Sequence, residues 1–474
     1  MEYRLRRNGQ FYLLEPWDPA LGPALSYRKR TFDFGRRQSR PTITTEELFS
    51  VDDKGVGMFP AGLLARAARN LQARGHTAKV EDNRDLGQLM PMPDFTRVDQ
   101  LRTGQDKILV AVAGSDGGQL VGGTGTGKSF LCVQICKMYP TLQIVIVSPR
   151  VPVVNTIYEK AVDALGSASV GRYGGDSQSP ARPRRISVTT VKSMMKAPLK
   201  ECDLLLFDEV HAVGCNQVAD TLAYVHRARK FGFTATPRGR GDGAELVIEA
   251  LFGPILIEIP YEDAVQDGLV VPIEVDRYSV PSAAIVGGLD GPVVSCKRKA
   301  YWRNTARNET IAAVARGVPA EEQVLIMTET LEHAILLHQL LPEYRVVHYG
   351  GGSGASRSRV LRAAGNRYRL GPRELDSLRR QFAAGTLRRV IATTVWREGV
   401  DFPGLAVLIR ADGMTSPISG GQIPGRLSRL ADGKDRGILV DFADEFSQWS
   451  ERRAKVRFGI YRKVGWKIVD RSLA

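Results

Sequence analysis

The segment GGTGTGKS (residues 122–129) has the spacing G-x-x-x-x-G-K-[ST] of a phosphate-binding loop. It follows the apolar run Gln119 to Val121 and precedes an apolar helical pattern, which is the context that such a loop requires. The glycines allow backbone N–H groups to surround phosphate oxygens at a helix N-terminus. Lys128 would supply a point charge to the β and γ oxygens, and the Ser129 hydroxyl could coordinate Mg²⁺. The segment therefore predicts a strand, a nucleotide-binding loop and a helix.

A second motif, DEVH, follows the apolar strand LLLF (204–207) and places Asp208 and Glu209 at its C-terminal end. Open α/β sheets bind their ligands at this end of the strands. The two carboxylates can take separate roles, because Asp208 can hold the hydration shell of Mg²⁺ while Glu209 orients and partly deprotonates an attacking water. Alone, DEVH would more often be an acidic helix cap. Together with the loop upstream, it indicates a nucleotide-hydrolysing site.

Strand-length apolar runs alternate with helical patterns from about residue 92 onward. The first set of runs comprises GGQLVGG (117–123), LQIVIVSP (142–149), RRISVTT (184–190), CDLLLFDE (202–209) and KFGFTATP (230–237). The second set comprises QVLIMTE (323–329), YRVVHYGG (344–351), RRVIATTV (388–395), LAVLIRAD (405–412) and RGILVDF (436–442). Such alternation predicts parallel sheets with crossover helices. We therefore expect two tandem α/β lobes, over 92–271 and 272–474, after a small α+β domain over 1–91.

Two segments of the chain are rich in basic residues. The first forty residues hold nine basic and four acidic side chains with aromatic side chains among them, and residues 351–389 hold ten Arg against two acidic residues. The N-terminal mixture suits nucleic acid, although a small domain with a solvated basic face uses the same residues. The periodicity of 59–75 predicts one helix in the N-terminal domain, and RELDSLRRQFAAG (373–385) predicts another in the second segment.

Composition restricts the class of protein. The 474 residues include 66 Lys and Arg against 51 Asp and Glu, a net charge of +15, and 43% are hydrophobic, which excludes a disordered or collagen-like chain. The positive surplus should attract a polyanion, most simply nucleic acid. Five scattered cysteines without a CxxC pair predict reduced thiols. The apolar runs are too short to span a membrane, and the first ten residues lack the apolar core of a signal peptide.

Further segments resemble the superfamily-2 helicases and translocases, specifically the DExH-type group that includes the phage UvsW, XPB and restriction-motor ATPases. The resemblance covers residues 92–465 and rests on the two nucleotide motifs together with LRTGQ (101–105), SPR (148–150), VTTVKSM (188–194), FTATP (233–237), LIMTETLEHA (325–334), IATTVWREGVDFPGL (391–405) and QIPGRLSR (422–429). It implies two RecA-like lobes, with helices on both faces of parallel sheets, and a DNA-binding N-terminal domain.

The resemblance also implies roles for individual residues. Nucleotide contacts fall on Gln105, which would read the base edge, and on Gly122, Gly123, Thr124, Gly125, Thr126, Gly127, Lys128, Ser129, Asp208, Gly399 and Asp401. The catalytic set is Lys128, Glu209, Gln422, Arg426 and Arg429, with Ser129 and Asp208 as the Mg²⁺ ligands. Nucleic-acid contacts fall on Arg150, Thr189, Thr190, Thr328, Thr330 and Thr393.

The spacing of Arg426 and Arg429 carries its own physical argument. Two arginines three residues apart lie on one helical face, from which they can reach a γ-phosphate held by the other lobe and act as arginine fingers. The alternative is a basic surface patch. Gln422 and His211 would form a polar bridge across the same cleft. Trp396 and Arg397 either lie near the nucleic acid or fill a lobe core, and both interpretations stay open.

The resemblance implies an ATP- and Mg²⁺-dependent DNA helicase or translocase that remodels branched or duplex DNA in replication, recombination or repair. We expect a monomer in the cytoplasm of a bacterium or of a phage-infected host, without contact to a membrane. The alternatives are a translocase on double-stranded DNA that does not separate strands, an RNA helicase, and an ATP-gated clamp that switches affinity without stepping.

Overall fold

The computed structural model of the protein describes the chain with gaps, over residues 2–31, 42–82, 84, 91–174, 183–194, 199, 201–214, 225, 227–235, 245–280, 289, 291–348, 360–362, 367–396, 402–415 and 423–473. The chain divides into two compact units, Met1–Pro260 and Tyr261–Ala474. No helix in these ranges is both long and apolar enough to cross a membrane.

The N-terminal part of the first unit is a small mixed sheet with one long helix. Its strands are β1 (Glu2–Asn8), β2 (Phe11–Glu15), β3 (Ser26–Thr31), β4 (Thr42–Glu47), β5 (Ser50–Val51), β6 (Gly57–Pro60) and β7 (Thr77–Glu81). Five of them form a sheet in the order β5-β6-β2-β1-β7, and β3 and β4 form a separate antiparallel ribbon. The helix predicted over 59–75 is confirmed as α1 (Leu64–Ala73), which buries Ala67 and Leu71 against the sheet.

The rest of the first unit is a seven-stranded sheet in which every pair of neighbours is parallel. Its order is β10-β11-β9-β12-β13-β8-β14. The strands are β8 (Gly117–Gly122), β9 (Ile144–Ser148), β10 (Val170–Tyr173), β11 (Ile186–Thr190), β12 (Leu204–Asp208), β13 (Arg229–Thr234) and β14 (Ile255–Ile259). The helices are α2 (Gln105–Ala113), α3 (Lys128–Met138), α4 (Val151–Leu165), α5 (Val191–Met194) and α6 (Glu245–Phe252).

The second unit repeats this plan with another parallel sheet of seven strands, in the order β17-β18-β16-β19-β20-β15-β21. Its strands are β15 (Ile273–Ser279), β16 (Gln323–Met327), β17 (Arg345–Val347), β18 (Arg389–Ala392), β19 (Leu405–Arg410), β20 (Gly437–Ala443) and β21 (Lys467–Arg471). Its helices are α7 (Tyr261–Gln266), α8 (Val293–Lys297), α9 (Thr305–Gly317), α10 (Leu331–Leu340), α11 (Pro372–Ala383) and α12 (Gln448–Val464).

The two sheets confirm the predicted fold class of tandem RecA-like lobes with a small α+β domain before them. The helix predicted over 373–385 is α11. Trp396 is 2% exposed, and its ring packs against the rings of Phe382 and Phe402 at centroid distances of 5.2 and 4.9 Å. Of the two interpretations of this residue, the structure therefore supports the lobe core.

Candidate nucleotide-hydrolysis site

The phosphate-binding loop joins the end of β8 to the start of α3, as its spacing predicts. Gly125 and Gly127 have φ of +96° and +87°, in the left-handed region that favours glycine. A Cβ on Gly127 would also lie 2.6 Å from Gln105 Nε2, so this position excludes other residues. Lys128 donates from Nζ to the carbonyl oxygens of Gly122 and Gly123, both at 3.3 Å. The ammonium group and the helix N-terminus therefore lie together, as phosphate binding requires.

Gln105 supports this loop from the side of α2. Its side chain is buried, and its amide bonds twice within the protein: Oε1 accepts from the Arg102 N–H at 3.1 Å, and Nε2 donates to the Thr126 carbonyl at 3.1 Å. A carboxamide has two N–H donors and two acceptor lone pairs, so each end keeps capacity for one more bond. The contact with a base therefore stays a prediction, and the loop support is an additional role that the sequence did not suggest.

Asp208 lies at the end of β12, one strand away from β8 because β13 runs between them. Its side chain is buried, and Oδ1 has no hydrogen-bond partner within the part of the chain that the structure describes. Burial and the neighbouring charge of Glu209 raise the pKa of Asp208 to about 7, against the lowering effect of Lys128. A buried carboxylate oxygen without a donor is suited to a hard divalent cation, so this residue fits the Mg²⁺ that nucleotide hydrolysis requires.

Glu209 differs from its neighbour in both backbone and charge. Its φ is +61°, a conformation that glutamate rarely adopts. Burial opposes its ionisation, but the close approach of His211 and the charge of Lys128 lower its pKa on balance. Glu209 Oε2 lies 3.2 Å from His211 Nδ1, which lies 3.5 Å from Thr234 Oγ1. An ionised carboxylate held by a histidine is suited to orient water and accept its proton.

The predicted nucleic-acid residues of the first unit lie at the same edge of the sheet. Arg150 is the N-cap residue of α4, directly after β9, while Thr189 and Thr190 end β11. The Thr189 hydroxyl is buried and donates to the Tyr173 carbonyl at 3.0 Å. Thr190 Oγ1 accepts from the Ser193 N–H at 3.3 Å. The sheet brings these residues to the edge that carries the nucleotide motifs, and their contacts with nucleic acid stay predictions.

The predicted threonines of the second unit also follow neighbouring strands, β16 and β18. The Thr328 hydroxyl is buried, 3.3 Å from the Ala392 carbonyl, and Thr330 caps α10 by accepting the His333 N–H at 3.3 Å. Thr393 is buried at the end of β18. The Thr328 and Thr330 side chains thus contribute to local structure, and the contacts of all three threonines with nucleic acid stay predictions. Gly399, Asp401 and Gln422 lie outside the described residues.

The spacing predicts that Arg426 and Arg429 share one face of a helix, and the structure differs from this prediction. Residues Pro424–Ser428 form a short 3₁₀ helix, and Arg429 follows it in extended backbone with φ −69° and ψ 139°. Within this segment Leu427 is buried in the core, so close to the sheet that a Cβ on Gly437 would lie 2.6 Å from the Leu427 Cβ. Arg426 is 8% exposed and donates from Nη1 to the Trp396 carbonyl at 2.9 Å. The two guanidinium groups therefore have different surroundings, and their role at a phosphate stays a prediction.

Sequence analysis did not identify a buried charge cluster in the second unit. Three arginines and three aspartates, all nearly or fully inaccessible, pair with one another: Arg307, Arg410, Arg457, Asp412, Asp441 and Asp444. The available signal was weak, because the six residues are dispersed in the sequence, with Arg307 on α9, Arg457 on α12 and the other four on or just after β19 and β20.

Comparison with known proteins supports one family. Residues 96–239 match the family described as Type III restriction enzyme, res subunit. The DNA 3'-5' translocase XPB2 of Sulfurisphaera tokodaii is 23% identical over 389 residues, 76% of this chain and 85% of that protein. A protein of Escherichia phage T5 named as a helicase is 22% identical over 84% of this chain and 82% of that protein. A third match, at 23% identity to a helicase of Sulfolobus islandicus filamentous virus, covers 52% of this chain and only 43% of that protein.

Solved structures agree in fold. Dbp5 of S. cerevisiae, bound to RNA and ADP BeF3, aligns with a TM-score of 0.53 at 16% identity, over 79% of this chain and 90% of that chain. The fold has two parallel sheets, with the nucleotide motifs at the carboxyl edge of the first sheet. The matched family model and the aligned relatives agree with this arrangement. These matches support the resemblance to the superfamily-2 helicases and translocases that the motifs indicate, and with it an ATP-hydrolysing enzyme of the nucleic-acid helicase type.

Proposed function

We propose that the protein is an ATP- and Mg²⁺-dependent motor that acts on DNA and remodels branched or duplex DNA in replication, recombination or repair. One observation carries the chemical part of the proposal: Asp208 has a buried carboxylate oxygen without a hydrogen-bond partner among the described residues, beside a Glu209 with a lowered pKa. One carboxylate suited to a cation and one held ionised are the two groups that metal-assisted phosphoryl transfer needs.

Each residue of the first unit's site has its own proposed role in hydrolysis. Ser129 and Asp208 would hold Mg²⁺, which when bound neutralises charge on the phosphates. Lys128 and the loop N–H groups bind the phosphate oxygens. Glu209 orients the attacking water and takes its proton, and His211 keeps the Glu209 carboxylate in place.

Residues of the second unit would complete the site late in the cycle. Arg426 and Arg429 place guanidinium groups on the γ-phosphate as negative charge develops there, and Gln422 bridges toward His211. The planar guanidinium groups would neutralise this charge only when the two lobes close. The state of the bound nucleotide would therefore control the arrangement of the lobes, and each change of arrangement would move the protein one step along the strand.

DNA is favoured as the track on two grounds. The net charge of +15 suits a phosphate backbone of any sequence. The relative XPB2 aligns over most of both chains and is named as a DNA translocase. The RNA-bound Dbp5 shares only the fold at 16% identity, so it does not argue for RNA.

The test measures ATP turnover and strand displacement on the same set of substrates: forked DNA, a Holliday-type junction, linear duplex DNA, single-stranded DNA and an RNA duplex. We expect strong stimulation of turnover by DNA and displacement on branched DNA. Lys128→Ala serves as the inactive control, because it removes the charge that binds the phosphates.

Each alternative gives its own result in this test. Stimulation by duplex DNA without displacement would indicate translocation only, and stimulation restricted to RNA would indicate an RNA helicase. Nucleotide-dependent changes in DNA affinity without stimulated turnover would indicate a clamp. Any of these three results would overturn the proposal of strand remodelling.

A further inference from the structure

Helix α6 has two packed faces within the first unit. Leu246 and Ala250, four residues apart, are buried in the apolar core of the N-terminal domain. Ile248 and Phe252, also four residues apart, are buried in the core under the sheet. Residues four apart share one face of a helix, so α6 lies between the N-terminal domain and the lobe that carries the nucleotide motifs.

The sheet-facing side of α6 reaches both ends of the Asp208–Glu209 pair. The Phe252 ring meets the Phe207 ring edge to face at 5.8 Å, and Phe207 directly precedes Asp208. Val210 directly follows Glu209, and Val210 and Phe252 both approach Gly232, where a Cβ would lie 2.7 Å from Val210 Cγ2 and 3.3 Å from Phe252 Cδ1. A shift of Phe252 would therefore disturb the backbone on either side of the two carboxylates, since packed cores do not deform freely.

The same packing reaches the histidine that holds Glu209. Val210–Gly214 is a 3₁₀ helix that contains His211, and its Val213 lies in the same apolar cluster as Ile248 and Phe252. His211 Nδ1 is the atom 3.2 Å from Glu209 Oε2. A shift of α6 would therefore also move the turn that carries His211.

The opposite side of α6 is fixed by two contacts from the N-terminal domain. Arg66 on α1 forms a bidentate pair with Glu249, in which Nε lies 3.1 Å from both Oε1 and Oε2 and Nη2 also donates to Oε2. Gly62 approaches the last turn of α6 so closely that a Cβ there would lie 2.1 Å from the Glu249 carbonyl oxygen. A planar guanidinium on a carboxylate fixes direction as well as distance. The helix is therefore held in position as well as packed.

We propose that Arg66 and Glu249 are positioning residues for ATP hydrolysis, through which the N-terminal domain sets the geometry of Glu209 and His211 by way of α6. The inference rests on the proposed role of Glu209 in hydrolysis. It gives the N-terminal domain a part in the chemical step, although every nucleotide motif lies after residue 100.

The first experiment compares Arg66→Ala and Glu249→Gln with Arg69→Ala, an exposed neighbour on the same helix. We expect kcat for ATP to fall roughly tenfold in the first two variants, because small misplacements of a catalytic group have effects of this order or larger. KM for ATP should stay near wild type, since Lys128 and its loop are untouched. The control should match wild type throughout, and Tm is measured for every variant, because Arg66→Ala leaves the buried Glu249 carboxylate without its partner.

A second experiment asks whether the effect passes through the histidine. In a His211→Ala background, Arg66→Ala should reduce kcat by a smaller factor than it does in the wild type, because one of the two routes from α6 to Glu209 is already broken. The charge exchange Arg66→Glu with Glu249→Arg should recover part of the lost kcat, because it restores an ion pair between α1 and α6. A kcat equal to that of the wild type in the Arg66 and Glu249 variants, or fully additive losses with His211→Ala, would overturn the inference. Glu209→Gln is measured alongside, so that a failure of the proposed hydrolysis role is seen separately.

Discussion

Glu209 combines a strained backbone conformation with a position suited to its proposed role in hydrolysis. Its left-handed backbone costs free energy for any residue with a side chain, and such conformations persist only where the surroundings hold them. Phe207 and Val210, on either side of the carboxylate pair, are both buried and fixed by packing. The observed strain therefore coincides with the carboxylate that the site needs in one orientation.

Two substitutions at this site should separate binding from chemistry. Glu209→Gln keeps the size of the side chain but removes the proton acceptor, so we expect nucleotide affinity to persist while turnover falls roughly 10²- to 10⁴-fold. Lys128→Ala should weaken nucleotide binding as well, because it removes a charge-assisted phosphate contact. Fluorescent-nucleotide titration and steady-state turnover measure the two effects. Near-normal turnover in the Gln variant would show that another group activates the water.

The arginine pair offers a cleaner test at Arg429 than at Arg426. Arg426 is nearly buried and bonds to the Trp396 carbonyl, so its removal also disturbs the lobe core. Arg429 follows the 3₁₀ helix and is half-buried. Arg429→Ala should reduce turnover by roughly 10³-fold and leave nucleotide affinity in the resting state unchanged, as for a finger that engages late. Weaker ground-state binding with normal turnover at saturation would make Arg429 an ordinary binding group.

At the scale of elements, the central strands were predictable and most edge strands were not. The sequence identified β8, β9, β11, β12 and β13 because each is an apolar run buried on both faces. The strands β10, β14 and β21 were missed, and all three lie at sheet edges. An edge strand pairs with one neighbour only, so short or polar sequences such as KIVDR suffice there. The central strand β15 was missed because IEVDRYS mixes charged and apolar residues.

The candidate site was predictable where chemistry dictates spacing, as in the phosphate loop and the carboxylate pair. It was not predictable where tertiary packing decides. The 3₁₀ geometry around Arg426, the support of the loop by Gln105 and the position of α6 all depend on partners far away in sequence. A periodic pattern records which residues prefer to be buried, but it does not specify the element against which they pack.

Strand β13 carries a buried lysine that makes the stability of the first unit depend on pH. Lys230 is 3% exposed, and its Nζ donates to Gln10 Oε1 of the N-terminal domain at 2.5 Å. Burial lowers its pKa to about 7, with Cys202 and Asp116 opposing and Arg7 assisting that shift. The unfolded chain therefore binds one more proton than the folded chain between about pH 7 and the ordinary lysine pKa. Stability should rise with pH across this window and be lowest below it.

The variant Lys230→Met isolates this contribution. The difference in unfolding free energy, wild type minus variant, should increase by up to about 1.4 kcal/mol per pH unit between pH 7.5 and 9, because only the wild type releases this proton. The variant should also be the more stable protein at pH 7, since it buries no charge. Denaturant titration at several pH values measures both quantities. A difference that stays constant with pH would show that Lys230 titrates as it does in the unfolded chain.

At the scale of the whole molecule, the N-terminal domain is part of the first unit, with its core completed by residues of α6. Removing residues 1–91 would expose Leu246 and Ala250 and leave Lys230 without Gln10. A deletion would therefore test folding as much as nucleic-acid binding. Substitutions on the surface of the domain are better suited to ask whether it contacts DNA.

The ribbon of β3 and β4 offers such a surface. Arg28 is exposed and Lys29 half-buried on β3, with Lys29 3.5 Å from Glu46 on β4. If the ribbon contacts a phosphate backbone while the motor grips a strand, the two contacts on one DNA multiply affinity through effective concentration. The double variant Arg28→Ala with Lys29→Ala should then bind a fork more weakly while binding a short oligonucleotide, which only one site can occupy, as the wild type does. Basal turnover should be unchanged, because neither Arg28 nor Lys29 belongs to the apolar core that the N-terminal domain shares with α6.

The salt dependence of DNA affinity measures how many phosphate contacts the ribbon makes. Each phosphate contact contributes about 0.9 to the slope of log affinity against log salt on duplex DNA, so losing two contacts should reduce the slope on the fork by close to 2. The control is Arg373→Ala with Arg380→Ala, which removes two exposed charges of the second unit and the same net charge. Anisotropy titrations of the fork and the oligonucleotide from low to physiological salt give the slopes. Equal slopes for wild type and the Arg28/Lys29 variant, or equal losses on both substrates, would show that the ribbon carries charge without contacting DNA.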